Sequence, residues 1–281
     1  MIAVDTEVFP YAPLAMVVAE VKYSYSLMLS DPDTQARVLE GVSSFTPIRE
    51  RSEHRSVEIP ADGSSPKQQT LELMQARSSN GQTTAAVTAE ALTVAMSGQD
   101  YSRYDDSLGR LIQSAVTSLT EHAPGGIITR LGLRYLDEIR VPEPPADIAG
   151  WGTWVDPRFL WGAGLLADID GIASDHRAIW TYSLPGDVQV MLNLGPFHGS
   201  GVVGPGHPFH RDTPSELMFV IDLDASWTPP SGAAPLDAEQ LLAHYDRLHQ
   251  PAQAVFASVL TDAARELFRG GSDAQTHRAH G

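Results

Sequence analysis

Residues 127–141, I-I-T-R-L-G-L-R-Y-L-D-E-I-R-V, decide how the rest of this 281-residue chain is organised. Side chains of alternating character predict a strand, because successive residues of a strand point to opposite faces. One face is apolar, with Leu131, Leu133, Tyr135, Ile139 and Val141, and the other is charged, with Arg130, Arg134, Glu138 and Arg140. We therefore expect the apolar face, Tyr135 included, to lie in the core, and the arginines to need carboxylate partners or a ligand.

The composition is that of a soluble globular protein, with 42% hydrophobic and 19% charged residues. A net charge of -16 disfavours a general role on nucleic acid or on an anionic membrane, since both attract basic surfaces. The absence of cysteine excludes disulfides, thiolate nucleophiles and thiolate metal sites. No secretory signal and no run of about 20 apolar residues is present, so we expect a cytoplasmic protein without a membrane span.

Alternating and helical patterns predict an α+β fold, with antiparallel sheets, long amphipathic helices packed on one face and two related halves. Besides 127–141, the predicted strands are 14–25, 55–59, 69–77, 83–97, two strands within 178–194, and 216–227. The predicted helices are 31–42, 104–121 and 237–268, the last with a kink near Leu248 because Pro251 removes a backbone donor. Asn80-Gly81 is a hairpin signal between two of the strands.

A proline-rich connector, V-P-E-P-P-A from Val141, marks the expected boundary between the halves. We divide the chain into an N-terminal half at 1–142, a C-terminal half with the long helix at 143–269, and a disordered tail at 270–281. Each half contains strands in hairpin connection followed by a long amphipathic helix.

The stretch that begins at Thr129, T-R-L-G-L-R-Y-L-D-E-I, resembles the R-I-G-L-R-Y-I-N-R-I hallmark of a sporadically distributed family of uncharacterised prokaryotic proteins. Three other segments are similar to that family: the V-V-A-E-V strand near the start, F-V-I-D-L-D from Phe219, and the helix with Leu248-His249 and Phe256. Asp137 and Glu138 depart from the Asn and Arg of the hallmark. The resemblance implies a compact α+β protein and brings no assigned chemistry, while the scattered distribution suits accessory roles in mobile or defence-associated genes.

The arginine face admits two interpretations. In the first, Arg130 and Arg134 pair with Asp222 and Asp224 of a neighbouring strand, and Glu20 is placed similarly on the first strand; such a network fixes strand register. In the second, the candidates Arg130, Arg134, Arg140, Asp222 and Asp224 form a groove that binds an anionic ligand through guanidinium forks. Arg130 and Arg134 lie about 13 Å apart along a strand and cannot clamp one carboxylate together.

A glycine-rich loop at 195–212 contains His198, His207, His210 and Asp212, residue types that hold zinc or iron. The residues fall on no predicted rigid element, so a metal site is the weaker reading beside a mobile lid, a partner-binding loop or a solvent-exposed hairpin connection. We accordingly predict no cofactor.

His249 borders the apolar stripe of the last helix, where it either satisfies a core contact or reaches the sheet as a general base. His244 is about 140° away around the same helix and cannot share a metal with it. No catalytic motif stands out, so we expect a protein that binds a partner or a small anionic ligand. The alternatives are an enzyme that combines an arginine-lined pocket with a histidine base or metal, and a subunit of a defence or toxin-linked assembly.

Overall fold

The structure, a computed structural model, describes residues 7–58, 67–163, 176–200 and 215–270. These residues form one ten-stranded sheet in which every pair of neighbouring strands is antiparallel, together with four α-helices. The predicted α+β class is therefore confirmed.

The elements follow one another in a simple order. The strands are β1 Leu14–Tyr23, β2 Ile48–Glu58, β3 Lys67–Arg77, β4 Thr83–Val87, β5 Ala91–Ser97, β6 Ile127–Ile139, β7 Ala178–Leu184, β8 Val188–Gly199, β9 Glu216–Trp227 and β10 Ala234–Pro235. The α-helices are α1 Pro32–Glu40, α2 Gly109–His122, α3 Ala238–Val259 and α4 Asp262–Arg269. A single π-helical turn, Tyr104–Leu108, leads into α2, and two short 3-10 helices, Ala149–Thr153 and Pro157–Leu160, follow β6.

In space the strands run β2-β3-β4-β5-β1-β6-β9-β8-β7, and the short β10 pairs with the beginning of β6. Strand β6, which contains most of residues 127–141, lies between β1 and β9 and so joins the strands on either side. The sheet continues across the predicted boundary at 142, because β6 pairs with β9.

Turn chemistry explains two of the hairpins. Gly81 adopts φ +73°, a conformation that glycine reaches without strain, and closes the predicted Asn80-Gly81 turn between β3 and β4. Between β7 and β8, Gly186 and Asp187 have φ +79° and +61°, and aspartate is among the few other residues that tolerate this region.

The core lies on one side of the sheet. Leu131, Leu133, Tyr135 and Ile139 of β6 are buried there with residues from all four helices. The helix residues include Leu39, Leu111, Leu248 and Phe268. Trp151 from the first 3-10 helix is fully buried and packs on Phe219 of β9, with ring centroids 5.5 Å apart. The prediction that Tyr135 lies in the core is confirmed.

Three predicted elements were wrong in extent. The strand expected at 55–59 is part of β2, which begins seven residues earlier at Ile48. The strand expected at 83–97 is two strands, because the chain turns at residues 88–90. The helix expected at 237–268 is α3 and α4, since Leu260 bridges to Val155 and Thr261 caps α4 with its hydroxyl. The Thr261 hydroxyl also donates to the carbonyl of Thr153 at 2.6 Å, a contact that no local pattern encodes. Helix α3 does run through Pro251.

The other side of the sheet carries a small apolar cluster of Ala15, Met16, Ala95 and Leu136 and the charged residues of β6. None of the described helices contributes to this cluster. None of them, either, is long and apolar enough to cross a lipid bilayer.

Tyr245 ties α3 to the sheet, and its replacement tests that contact. Its buried hydroxyl donates to the backbone carbonyl of Glu20 on β1 at 2.8 Å, and burial raises its pKa well above the usual value, so it stays a donor. Tyr245→Phe should cost about 1 kcal/mol in urea unfolding, because it leaves a buried carbonyl without its partner.

Tyr182 of β7, 44% exposed, supplies the matched control. Tyr182→Phe should leave the free energy of unfolding within about 0.5 kcal/mol of wild type. Equal losses for the two variants would contradict the role given to Tyr245.

Candidate functional site

The face of the sheet away from the helices is called here the open face, and its centre consists of Glu20, Arg130, Gly132, Arg134, Asp222 and Asp224. These residues come from three adjacent strands, β1, β6 and β9, that alternate core and open-face positions. In the register, Gly132 lies beside Glu20 on β1, and Arg134 lies beside Asp224 on β9.

Arg130 lies flat along its own strand, above Gly132. A Cβ atom at position 132 would come within 2.7 Å of the Arg130 Nη1 atom and 3.3 Å of its Cζ atom. From this position Nη1 donates to Glu20 at 3.2 Å, and Nη2 donates to both oxygens of Asp224 at 3.3 and 3.1 Å. The glycine thus allows one guanidinium to bridge the two strands that flank β6.

Arg134 forms a second, separate pair. Its Nε and Nη2 atoms donate to the two oxygens of Asp222 at 2.7 and 2.8 Å, the two-pronged geometry that suits guanidinium and carboxylate. The hydrogen bond to Asp222 raises the pKa of Arg134 above its usual value. The Arg134 side chain is 47% exposed and the Asp222 side chain only 12%, so the carboxylate is buried beneath an accessible cation.

The pKa of the Asp224 carboxyl is subject to opposing effects. Burial raises this pKa, and the charges of Arg130 and Arg134 oppose that rise. The predicted pairing of Arg130 and Arg134 with Asp222 and Asp224 is confirmed, and each arginine takes a different aspartate. This is the arrangement that fixes strand register.

Arg140 joins a third group at the other end of β6. It donates to Glu216 at 2.5 Å, to the well-buried Glu138 at 3.0 Å and to the carbonyl of Ser200 at 3.1 Å. Arg140 is therefore held by β6, β9 and the end of β8, apart from the Arg130 and Arg134 pairs.

Apolar side chains continue the open face toward the β7 edge. On β8, Met191 lies beside Asp224 of β9 and Phe197 lies beside Met218 of β9. On β7, Ile179 lies two strands away from Asp222 in the same row across the sheet. The exposed fractions of Ile179, Met191 and Phe197 are 58%, 43% and 40%. Charged and apolar groups therefore share one accessible surface.

His249 lies on the opposite side of β6, among tyrosines. Its Nδ1 atom is 2.9 Å from the hydroxyl of Tyr135, and its ring stacks on Tyr104 with centroids 4.2 Å apart. Burial lowers the pKa of His249 and raises that of Tyr135 well above its usual value, so the pair is neutral near pH 7. The tautomer of His249 decides which of the two groups donates: the hydroxyl donates to a bare Nδ1, whereas a protonated Nδ1 donates to the hydroxyl oxygen. Tyr101 packs edge-on against Tyr135 and completes the cluster.

The arginines and His249 therefore do not converge, since β6 separates them. His244 lies elsewhere, stacked on Trp227 with ring centroids 3.8 Å apart, and burial lowers its pKa. As expected from their helical spacing, the two histidines have different surroundings.

The predicted histidine loop is only partly within the described residues. His198 is exposed near the end of β8, whereas His207, His210 and Asp212 lie outside the described ranges. Within those ranges no group of three His, Asp or Glu side chains is placed to hold a metal ion. The metal site stays a prediction, and the predicted tail beyond Gly270 also lies outside the described residues.

Two features of the site escaped sequence reasoning. The position of Arg130 over Gly132 had a signal, because a glycine inside a strand often marks a close approach by another group. The cluster around His249 had none, since Tyr101 and Tyr104 are far from Tyr135 and His249 in the sequence and only the fold brings them together.

Comparison with known proteins leaves the site to be judged on its own geometry. No protein-family model matches the chain, and no match was found among curated proteins.

Gly132→Ala tests whether the absence of a side chain at position 132 is what allows Arg130 to lie across it. The new methyl group should displace the guanidinium from Glu20 and Asp224 and cost about 1 kcal/mol in chemical unfolding. In an Arg130→Ala background the same change should cost nothing, because no guanidinium is left to displace.

The four unfolding free energies then give a coupling energy near 1 kcal/mol between positions 130 and 132. Additive effects of the two substitutions would show that Gly132 serves some other purpose.

Asp137, on the core side of β6, is 6% exposed and offers a pH test. Burial, with a smaller contribution from the charge of Glu138, raises its pKa to about 7. The pKa of Asp137 is higher in the folded protein than in the unfolded chain. The protonated carboxyl therefore contributes its full stability below the pKa of the unfolded chain, and this contribution is lost as pH rises through about 7. Asp137→Asn imitates the protonated form, so its stability relative to wild type should increase by about 1 kcal/mol or more between pH 5 and pH 8.

The exposed Asp106 provides the control, and Asp106→Asn should show no such trend. Urea unfolding at the two pH values measures both variants. A pH-independent difference between Asp137→Asn and wild type would mean that Asp137 titrates normally.

Proposed function

We propose that this protein is a partner-binding protein and that its docking surface is the open face of the sheet. The observation that carries the proposal is Arg134, which is half exposed at the centre of that face while Asp222 holds its guanidinium in one orientation. A charged group that is both accessible and fixed loses little conformational freedom when a partner binds.

A macromolecular partner suits this face better than a small anion. The charges of Arg130 and Arg134 are already neutralised by Asp224 and Asp222, which leaves little attraction for a free anion. Arginine, methionine and aromatic residues are the types enriched in protein–protein interfaces, and Arg134, Met191 and Phe197 bring all three to one surface. The acidic chain as a whole favours a partner with a neutral or basic surface.

The enzyme alternative finds less support. With His249 as the base it needs the arginines and His249 in one pocket, and these lie on opposite faces of β6. Its metal version depends on His207 and His210, which lie outside the described residues. A depression of about 630 Å³ does occur among the described residues, but it lies between α1 and α2, beside Arg37 and Glu121, and contains none of the candidates.

We also propose membership of the family that the hallmark around residues 129–139 suggests. The hallmark has a physical reason in this chain, because Arg130 needs Gly132 beneath it and Arg134 needs the aspartate on β9. An accessory subunit of a defence or toxin-linked assembly is compatible with a docking face, and its partner would be the product of a neighbouring gene.

Topology supports the proposal of two related halves. Each half begins with a central strand, β1 or β6, continues to the outer strands and returns to pair with that central strand through β5 or β9. Each then continues into a helix, α2 or α3, on the core side. On this correspondence the second half begins at β6 rather than after residue 142.

Substitutions on the open face test the proposed docking. The tagged protein is expressed in its source cells, and the proteins that copurify with it, including products of neighbouring genes, are identified. The dissociation constant of each complex is then measured with the purified partner. Met191→Asp places a charge on the open face and should weaken binding at least tenfold, because a buried charge without a partner costs more than the methionine contact contributed.

Leu27→Asp makes the same chemical change at a residue that is 80% exposed in the turn after β1. It should leave the dissociation constant unchanged. Failure of the wild type to form any complex, or equal binding by both variants, would refute the proposed surface.

A further inference from the structure

The two edges of the sheet differ sharply in chemistry. The sequence of β2, I-R-E-R-S-E-H-R-S-V-E, has six Arg or Glu residues among eleven, whereas β7, A-I-W-T-Y-S-L, has no charged residue among seven. Charged side chains on an edge strand discourage pairing with another chain, and an uncharged apolar edge invites it. By this criterion β2 is protected and β7 is not.

The β7 edge is accessible as well as uncharged. Ile179, Tyr182 and Leu184 are 58%, 44% and 37% exposed, and Thr181 at the middle of the strand is exposed too. Within the described ranges, β8 is the strand that pairs with β7, and the side of β7 away from β8 has no paired strand. A row of backbone hydrogen-bonding groups is therefore available along that side.

Charge around β7 allows two copies of an acidic chain to approach. Residues 176–200 contain one arginine, Arg177, and one aspartate, Asp187, so this segment adds nothing to the net charge of -16. Charges farther away than about 8 Å are largely screened at physiological salt. The segment therefore adds no net repulsion between two copies that meet at this edge.

We propose that the β7 edge binds a second copy of this chain, by antiparallel pairing of β7 with β7 of the partner subunit, centred on Thr181. This register is self-complementary, as a two-fold interface requires. It sets Trp180 beside Tyr182 of the partner subunit, twice, which gives two cross-strand aromatic pairs. At each end it brings Arg177 beside Pro185 of the partner subunit, two residues from the partner's Asp187.

The resulting dimer would have one continuous sheet with the two open faces side by side. Trp180 is already fixed for this pairing, because Phe159 packs edge-on against its ring with centroids 5.9 Å apart. Self-association through β7 leaves Arg134 and its neighbours accessible, and it is independent of whether the open face binds a partner.

Sedimentation equilibrium of the purified full chain tests the association. The wild type should show twice the 30.4 kDa chain mass at micromolar concentrations. Thr181→Lys places two ammonium groups together at the two-fold axis and should weaken the dimer at least tenfold. Gln189→Lys, an exposed neutral residue on β8 one strand further in, is the matched control and should remain dimeric.

Cysteine cross-linking tests the register, and the chain is suited to it because it contains no cysteine. Thr181→Cys should form a disulfide-linked dimer on mild oxidation, since directly paired Cα atoms lie about 5 Å apart. Ser183→Cys alone should not, because the two sulfur-bearing residues would be displaced by about 13 Å along the strands. A mixture of Ser183→Cys and Ile179→Cys should cross-link to each other.

A monomeric wild type at 100 µM would overturn the proposal, as would a dimer that Thr181→Lys leaves intact. Cross-linking of Thr181→Cys no faster than that of Gln189→Cys would also overturn it. Loss of the dimer in Thr181→Lys together with the expected cross-linking pattern would establish it.

Discussion

The contact on which the rest of the sheet depends is the placement of Arg130 across Gly132. One guanidinium on β6 binds Glu20 of β1 on one side and Asp224 of β9 on the other. These are the strands through which the N-terminal and C-terminal parts of the sheet meet. Since the side-chain period of a strand is two residues, a slip of one position would turn these carboxylates away from Arg130 and bury them on the core side. The contact therefore specifies register at the point where the sheet has to be continuous.

Strand β6 also divides the chemistry of the molecule. Its core side holds Tyr135 against His249 and carries the buried Asp137, a set of groups that burial keeps neutral or makes difficult to ionise. Its open side holds the charged groups, paired but accessible. The backbone of β6 therefore keeps the proton-transferring groups on one face apart from the cationic groups on the other.

Ion pairs of this kind usually add little to the free energy of folding when they are exposed. Partly buried pairs contribute more to specifying geometry than to stability. Arg134 shows the consequence for function. Asp222 fixes its side chain from below, and the other side faces solvent. A partner that recognises this surface meets groups that are already ordered.

Sequence reasoning reached the features that depend on local alternation. The pattern of 127–141 predicted Tyr135 in the core and the arginines on the opposite face, and the aspartates of 216–227 were predicted as their partners. It could not reach the order of the strands, because pairing of β6 with β1 and β9 is decided by contacts far apart in the chain. The break between α3 and α4 was missed for the same reason, since the hydroxyl of Thr261 donates to the carbonyl of Thr153, which is 108 residues away in the sequence. Tyr101 and Tyr104 were missed because only the fold brings them to His249.

The claim at the centre of this account is that partners meet the open face and not the helix side. Oxidative footprinting of the protein, free and bound to a purified partner, tests it directly, because methionine and aromatic side chains on the protected surface oxidise more slowly. The account predicts that Met191 and Phe197 become protected on binding while Leu27 and Trp161 keep their reactivity. Unchanged oxidation of Met191 and Phe197, with protection elsewhere, would contradict it.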